Sequence, residues 1–320
     1  MRALRIVGPG AATIEVVEPP VPAEGEVLVD VAVAAVCNTD RKLVRCGLPP
    51  GRTPGHEVAG RLADGTAVGV HPDVGCGQCP WCLHGQTNRC PWKWSLGIDR
   101  DGGLAGRLVV PRDHAVPLDG VPLELAPLLE PLACCVHAHH RLGSVTGPAV
   151  VVGGGAMGIL TTWVLQAAGH RTAVCQRSPG RRRLAAGLGA DAVLGPDEDP
   201  AAVLGEPVSA IVVTAPGAEP LRWALEHVAE GGVVHAFAGT PGGADVDANV
   251  VHYRHLDLVG STGSGLRDYR EAIALVSGGS VPLDRFPVVR TDLDGAVTAV
   301  TTPAERQHLR TVIDLAGDDR

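Results

Sequence analysis

The chain has 320 residues, of which 45% are hydrophobic, and a formal net charge of −8 from 35 acidic and 27 basic side chains. This length allows two domains, each with a core of its own. The acidic balance argues against a nucleic-acid or membrane-surface partner. The sequence shows no 18-residue apolar span and no basic and apolar leader, so we expect a cytoplasmic protein. In that compartment an odd count of nine cysteines favours metal binding over disulfides.

Short apolar runs at 3–7, 13–17 and 27–31 are separated by prolines and glycines, which predicts a β-rich barrel or sandwich. The third run leads to Cys-Asn-Thr-Asp at 37–40, and Gly-His-Glu follows at 55–57. A thiolate, an imidazole and a carboxylate together suit a zinc ion that keeps one position open. Taken singly, the cysteine could be a small buried residue and the histidine a hydrogen-bonded turn residue.

Four cysteines lie close together in the next stretch, about residues 76–90. They are Cys76, Cys79, Cys82 and Cys90, separated by two, two and seven residues. Four thiolates can surround one tetrahedral zinc and leave no open position, which predicts a structural site. A nucleic-acid zinc ribbon would have two separated pairs of cysteines and a basic surface. This stretch has neither, so the spacing argues against a zinc ribbon. A chance cluster is the alternative.

From about residue 130 the pattern alternates helices and apolar strands, which predicts a doubly wound parallel sheet. The valine-rich strand at 149–152 is followed by Gly-x-Gly-x-x-Gly, a dinucleotide-binding pattern. In it Gly153 permits the turn, Gly155 lets the backbone approach a pyrophosphate, and Gly158 lets the helix pack closely. The other predicted cofactor contacts here are Ala156 and Met157 at the helix N-terminus and Thr214 after a later strand. A purely structural glycine turn is the alternative.

The end of the second strand, at 172–175, bears on cofactor choice. Gln176 stands about where an NAD site places its acid, and Arg177 and Ser178 follow. Without a carboxylate there is no repulsion against a 2′-phosphate, and a guanidinium can bind one. We therefore predict NADP(H) rather than NAD(H), with Arg181 as a further contact. The alternative is that Arg177 is solvated and NAD binds through Gln176.

These motifs together resemble the zinc-dependent medium-chain alcohol dehydrogenases of the sorbitol, threonine and polyol type, over residues 1 to about 315. The resemblance implies an α/β protein with a GroES-like, β-rich catalytic domain at 1–133. A Rossmann dinucleotide-binding domain would follow at 134–266, and a C-terminal segment at 267–320 would return to the catalytic domain.

The resemblance also implies roles at the metal. Cys37 and His56 would bind the catalytic zinc, and Glu57 would sit beside it as a ligand that exchanges with water. Thr39 would pass the substrate proton towards solvent. Glu130, in Leu-Glu-Pro-Leu at 129–132, would be a further ligand. A first-turn helix acid favoured by the helix dipole is the alternative for Glu130.

The implied function is hydride transfer between NADP(H) and a secondary alcohol or ketone, with two zinc ions per chain, in a homodimer or homotetramer. The segments between 37 and 56 and between 60 and 69 are shorter than is usual in the family. Lys42 stands where some relatives have a relay histidine. A more open cleft favours a polyhydroxylated substrate, namely a sugar, polyol or aminocyclitol, including those of aminoglycoside-type biosynthesis. The alternatives are a metal-free NADPH reductase of the same fold and a non-catalytic NADP-binding protein.

Overall fold

The structure is a computed structural model that describes residues 1–47, 49–302 and 308–317. The chain divides into two units. The first takes in Met1–Ala133, Ser264–Ser277 and Phe286–Arg320, and the second takes in Cys134–Gly263 and Gly278–Arg285. The sequence had placed 278–285 in the C-terminal return segment, whereas here it packs within the second unit.

The strands in chain order are β1 (Arg2–Gly8), β2 (Ala11–Val16), β3 (Glu26–Val36), β4 (Glu57–Arg61), β5 (Ala67–Val70), β6 (Asp73–Val74), β7 (Trp94–Ser95), β8 (Arg107–Pro111), β9 (Ala115–Pro117), β10 (Ala149–Val152), β11 (Thr172–Cys175), β12 (Ala192–Leu194), β13 (Ala210–Val213), β14 (Val233–Ala236), β15 (Asp257–Gly260), β16 (Val288–Asp292) and β17 (Arg310–Asp314).

The α-helices are α1 (Asn38–Cys46), α2 (Pro80–Leu83), α3 (Leu129–Arg141), α4 (Ala156–Ala167), α5 (Pro179–Gly187), α6 (Pro200–Leu204), α7 (Ala218–His227), α8 (Ala248–Tyr253), α9 (Leu266–Ser277) and α10 (Leu293–Thr301). Single 3-10 turns occur at Thr87–Arg89, Arg112–His114, Leu123–Leu128 and Leu283–Arg285. In the described part of the chain, no helix is long and apolar enough to cross a membrane.

The first unit is built around β3, which is 11 residues long and pairs antiparallel with β4, β8 and β17. The sheet has the order β16-β17-β3-β4-β5-β9, with β8 also on β3. Alternate residues of β3, among them Val27, Val29 and Val31, point into one apolar core. The predicted β-rich domain is confirmed. The pairing of β17 with β3 brings residues 310–314 beside the residues that precede α1.

The second unit is a six-stranded sheet with parallel pairing throughout, in the order β12-β11-β10-β13-β14-β15. All four residues of β10 are buried, as expected of a central strand with both faces covered. The chain runs outward from β10 to β12 on one side and then from β13 to β15 on the other. Such an arrangement leaves a crevice at the carboxyl end of β10, where ligands of doubly wound sheets bind. The predicted Rossmann architecture is confirmed.

Two element bounds follow from the local sequence. The helix α4 begins at Ala156, because Gly155 is its N-cap and the glycine turn leads directly into it. The strand β16 begins at Val288. Pro287 precedes it and has no N–H to donate to a ladder, so regular pairing begins after the proline.

Candidate metal and cofactor sites

Asp40 connects the two segments that carry the predicted ligands of the open metal site. Its carboxylate is fully buried. Oδ2 accepts the backbone N–H of Cys37 at 2.8 Å, and Oδ1 accepts that of Gly55 at 3.0 Å. A carboxylate three residues into a helix commonly accepts the N-cap amide in this way. The interaction with Gly55 fixes the loop before β4 against the N-terminus of α1.

The same carboxylate orients the imidazole of His56. Nδ1 of His56 lies 3.3 Å from Oδ1 of Asp40, and both side chains are buried. Burial by itself lowers the pKa of His56, but the Asp40 carboxylate and Cys37 outweigh it and raise that pKa well above the usual value. A carboxylate facing one ring nitrogen is the usual way in which a metal-binding histidine is held, with the other nitrogen facing the metal.

Three potential metal donors converge at this place. One donor atom each of Cys37, His56 and Glu57 lies within 4.8 Å of the other two. Burial raises the pKa of Cys37, but the Arg310 guanidinium and the hydrogen bond with His56 outweigh it, and the pKa falls to about 6. A thiolate at neutral pH, an imidazole and a carboxylate are donors that zinc accepts, so this trio fits a zinc ion.

Arg310 is a member of this site that no sequence pattern predicted. It lies in β17, is buried, and places Nη2 2.8 Å from Oε1 of Glu57. Burial, Cys37 and Glu130 raise the pKa of Glu57, while Arg310 acts against them. Oε2 of Glu57 has no hydrogen-bond partner among the described residues and is buried. That oxygen is the one free to face a metal or a water molecule.

The two remaining predicted residues lie near the trio but outside it. Thr39 Oγ1 is 3.8 Å from Cys37 Sγ, in the first turn of α1. Glu130, in the first turn of α3, is half-buried and close enough to contribute to the raised pKa of Glu57. It is not among the three donors that lie within 4.8 Å of one another. The roles of Thr39 and Glu130 stay predictions.

The second group of donors is the cysteine cluster at 76–90. The Sγ atoms of Cys76, Cys79, Cys82 and Cys90 lie within 4.8 Å of one another, and each thiol is free of a disulfide. The backbone N–H of Gln78 lowers the pKa of Cys76, which falls to about 7. A Cβ at Gly75 would lie 2.6 Å from Cys82 Sγ, so only glycine fits there. Four sulfur donors around one point fit a closed zinc site.

The glycine turn after β10 has the features expected of a dinucleotide site. Gly153 has φ +116°, and a Cβ at Gly158 would lie 1.8 Å from the carbonyl oxygen of Gly153. A Cβ at Gly155 would meet no protein atom within 4 Å. Gly155 therefore faces open space at the N-terminus of α4, which leaves room for a phosphate near the helix N–H groups. The residues fit a dinucleotide.

Thr214 and the first residues of α4 complete this turn. Thr214 Oγ1 donates to the carbonyl oxygen of Val152 at 3.0 Å and lies 3.3 Å from that of Gly153. This position makes Thr214 a brace of the glycine turn. Ala156 and Met157 are half-buried and begin the helix. Their predicted contact with a cofactor stays a prediction.

The loop after β11 holds the residues predicted to select the cofactor. The Gln176 side chain lies beside Gly154, and its Oε1 accepts the N–H of Ser178 at 3.3 Å. The side chains of Arg177 and Ser178 are exposed. Arg181 has a buried Nη1 without a hydrogen-bond partner among the described residues, and burial lowers its pKa.

Arg182 supports this loop, and no sequence pattern marks it as a candidate contact. Its Nη1 donates to the carbonyl oxygen of Gln176 at 2.7 Å and to that of Arg177 at 3.1 Å. These bonds hold the backbone so that Arg177 and Ser178 project outward. An arginine a few residues after a strand gives no sequence signal that separates such a brace from a phosphate contact.

The chain is similar in sequence to known dehydrogenases over both of its units. Residues 23–120 match the family model described as alcohol dehydrogenase GroES-like domain, and residues 156–278 match that described as zinc-binding dehydrogenase. The chain is 30% identical over 303 residues to an L-threonine 3-dehydrogenase of Thermococcus kodakarensis, covering 86% of each chain. It is 34% identical over 179 residues to the L-galactonate-5-dehydrogenase of Escherichia coli, a match that spans about half of each chain, 52% and 53%.

A solved structure is similar over nearly the whole length. It is described as a putative zinc-binding dehydrogenase from Sinorhizobium meliloti 1021 bound to NADP. The two superpose with a TM-score of 0.90 at 29% sequence identity, covering 98% of each chain. The likeness thus extends across both units of the chain.

Proposed function

Since this chain belongs to the zinc-dependent medium-chain alcohol dehydrogenase family, we propose that it transfers a hydride between NADP(H) and a secondary alcohol or ketone of a polyhydroxylated substrate. The observation that carries the proposal is the convergence of Cys37, His56 and Glu57 within 4.8 Å, beside a carboxylate that orients the histidine. A metal-free reductase of the same fold would not need this donor set.

In this proposal the site residues have separate roles in metal binding, histidine orientation and proton transfer. A bound zinc would supply Lewis acidity to the substrate oxygen, and a bound nicotinamide would supply or accept the hydride. Cys37 and His56 hold the metal, and Asp40 fixes the imidazole of His56. Thr39 accepts the hydroxyl proton at Oγ1 during oxidation while it releases its own proton towards solvent, and the reverse transfer serves reduction. Glu130 is proposed as a further ligand.

The preference for NADP(H) rests on the loop after β11. Gln176 brings no negative charge to the place where an acid would hold the ribose of NAD, while Arg177 and Ser178 project from the loop. The similar structure from Sinorhizobium meliloti is described as bound to NADP. Replacing Arg177 by Ala should raise KM for NADPH at least tenfold and leave KM for NADH unchanged. Arg183→Ala, exposed on α5, is the control, and equal effects on both cofactors would contradict the preference.

The substrate class is proposed from the relatives and from the short segments near the metal. The Escherichia coli relative is named for L-galactonate. A sugar, polyol or aminocyclitol would suit an open cleft, and precursors of aminoglycosides belong to that class. A panel of these compounds and of straight-chain alcohols tests this part. Faster turnover of the straight-chain alcohols would exclude it.

Elemental analysis of the purified, undialysed protein tests the metal part. We expect about two zinc ions per chain, one for the open and one for the closed site. Cys37→Ser should lose one of them together with oxidoreductase activity, and Cys46→Ser, at an exposed cysteine, should lose neither. One zinc per chain, unchanged in Cys37→Ser, would favour a metal-free NADPH reductase instead.

We further propose that the protein is a homodimer or homotetramer assembled through β15. This strand is at the edge of its sheet, three of its four residues are exposed, and the side chain of Leu258 is 39% exposed. An exposed edge strand of this kind pairs readily with another chain. Light scattering should give a mass of two or four chains, and Leu258→Asp should reduce it. A monomeric mass for the unaltered protein would contradict the proposal.

A further inference from the structure

A cavity of about 480 Å³ lies in the first unit, between α1 and the end of α10. Its walls include three basic side chains of α1, namely those of Arg41, Lys42 and Arg45. Asn38 of the same helix and the hydroxyl residues Thr301 and Thr302 add polar groups. The described lining residues include no acid.

The described residues offset the positive charge of this cavity only in part, through the electrostatic effect of Cys37, Asp40 and Glu57 on Arg41. Arg41 donates to two neutral acceptors, the carbonyl oxygen of Ala299 at 2.9 Å and Oδ1 of Asn38 at 3.2 Å. Within the described ranges, no carboxylate forms an ion pair with Arg41, Lys42 or Arg45.

Local structure explains the three cations only in part, since Arg41 joins α1 to α10 through the carbonyl oxygen of Ala299. Arg41 and Arg45 are four residues apart on a helix, and Lys42 and Arg45 are three apart, so like charges face each other and destabilise α1 by a few tenths of a kcal/mol per pair. The negative end of the helix dipole favours Arg45 in the last turn. It does not favour Arg41 and Lys42 in the middle of the helix. A bound anion would balance all three.

We propose that this cavity binds an anionic group of the substrate, a carboxylate or a phosphate, so that the enzyme acts on acidic sugar derivatives rather than on neutral polyols. The inference rests on the proposed function. A guanidinium offers two parallel N–H groups to such an anion, and an ammonium adds a point charge. The hydroxyls of Thr301 and Thr302 donate to the carbonyl oxygens of Val297 and Thr298, each at 2.7 Å, so the cations supply the donors to the anion.

The cavity and Thr39 share the helix α1, although Thr39 is not among the residues that line the cavity. The helix begins directly after Cys37, and Thr39 lies one turn before Lys42, about 4.5 Å along the axis. Residues three apart on a helix are neighbours on its surface. A six-carbon sugar acid can span that separation, with a hydroxyl beside Thr39 and its carboxylate between Lys42 and Arg45.

Matched substrates test this directly. Gluconate and glucitol share a carbon chain and differ in charge at one end, and galactonate and galactitol form a second pair. For whichever pair is turned over, we expect kcat/KM to be at least tenfold higher for the acid. Arg45→Gln, at an exposed position, should lower kcat/KM for the acid at least tenfold and change kcat/KM for the alditol less than twofold. Arg61→Gln, at an exposed cation of the same unit, should change neither.

The cofactor is the other source of phosphate, and a separate measurement distinguishes it. KM for NADP+ and NAD+ is determined with a saturating alditol. If Arg45→Gln raises the cofactor KM and leaves the acid-to-alditol ratio unchanged, the cavity serves the cofactor and the proposal is wrong. An acid-to-alditol ratio near one in the unaltered enzyme also overturns it.

A binding experiment keeps this inference separate from the proposed function. Inorganic phosphate is titrated into the zinc-loaded protein by calorimetry, without cofactor or alcohol. We expect binding that is lost in the Lys42→Gln, Arg45→Gln double variant and retained in Arg61→Gln. If no alcohol is oxidised at all, the proposed function fails, while the phosphate titration still decides the anion site. Equal phosphate binding by all variants excludes the site.

Discussion

Asp40 has no exposed surface, and its two oxygens are shared among Cys37, Gly55 and His56. Replacing Asp40 by Asn keeps the shape and removes the charge. The amide holds His56 less firmly, so affinity for the metal of the open site and oxidoreductase activity should both fall about 10- to 100-fold. Zinc titration against a competing chelator measures the first effect. Asp64→Asn, at an exposed acid, is the control, and unchanged zinc affinity in Asp40→Asn would show that the carboxylate does not serve the metal.

Alanine variants at two glycines of the dinucleotide turn should affect different properties, one of them cofactor binding and the other stability. A Cβ at Gly155 meets no protein atom, and the residue has φ −89°, which alanine adopts freely. Gly155→Ala should therefore fold with unchanged stability and bind NADPH at least tenfold more weakly, because the methyl group occupies the place of a phosphate. Gly158→Ala places Cβ 1.8 Å from a carbonyl oxygen and should lower Tm.

Thermal unfolding and NADPH titration measure the two effects in both variants. Gly187→Ala is the control, because a Cβ at this position would meet no atom within 4 Å. Unweakened NADPH binding by a stable Gly155→Ala protein would mean that no phosphate lies beside this residue.

The cysteine lobe is the element whose folding depends most on metal, because α2 has four residues and none of them is buried. Cys82→Ser should lose one zinc per chain, lower Tm and leave the metal at Cys37 and His56 in place. Cys46→Ser should change none of these. Elemental analysis with a thermal scan tests the pair, and two retained zinc ions in Cys82→Ser would contradict a four-cysteine site.

For the whole molecule, the pH dependence of stability should reflect buried neutral histidines. Burial, aided by Arg141 and His137, lowers the pKa of His235 to about 4, while Nε2 is 3.0 Å from Ser261 Oγ. In the unfolded chain the pKa is about 6.5. Between these values the unfolded state binds the extra proton, so stability falls as pH falls, by up to about 1.4 kcal/mol per pH unit for one histidine.

Urea unfolding between pH 7.5 and 4.5 measures this slope. His235→Gln should lower the slope of the unfolding free energy against pH by up to the value for one proton, whatever its effect on absolute stability. His84→Gln, at an exposed histidine, should leave this slope unchanged. An unchanged slope in His235→Gln would show that His235 is not the neutral group described here.

The local features of the fold and of the candidate sites could be predicted from residue type and spacing alone. Residue type and spacing within short segments predicted the β-rich part and the doubly wound sheet. Because the four cysteines lie within 15 residues of one another, their spacing also predicted the cluster that the structure brings together. The glycines were predictable because the conformation and close contacts at Gly153 and Gly158 are set within one strand–turn–helix unit.

The contacts between residues far apart in the sequence depend on the tertiary structure. Arg310 reaches Glu57 only because β17 pairs with β3, and no pattern around residue 310 predicts that pairing. Likewise, Thr301 and Thr302 share a cavity with the cations of α1 only because α10 lies near α1. Arg182 could not be recognised as a brace, since charge alone does not say whether a guanidinium meets a carbonyl or a phosphate. Ion pairs and cavities depend on the distance between segments in space, and a sequence pattern records only their distance along the chain.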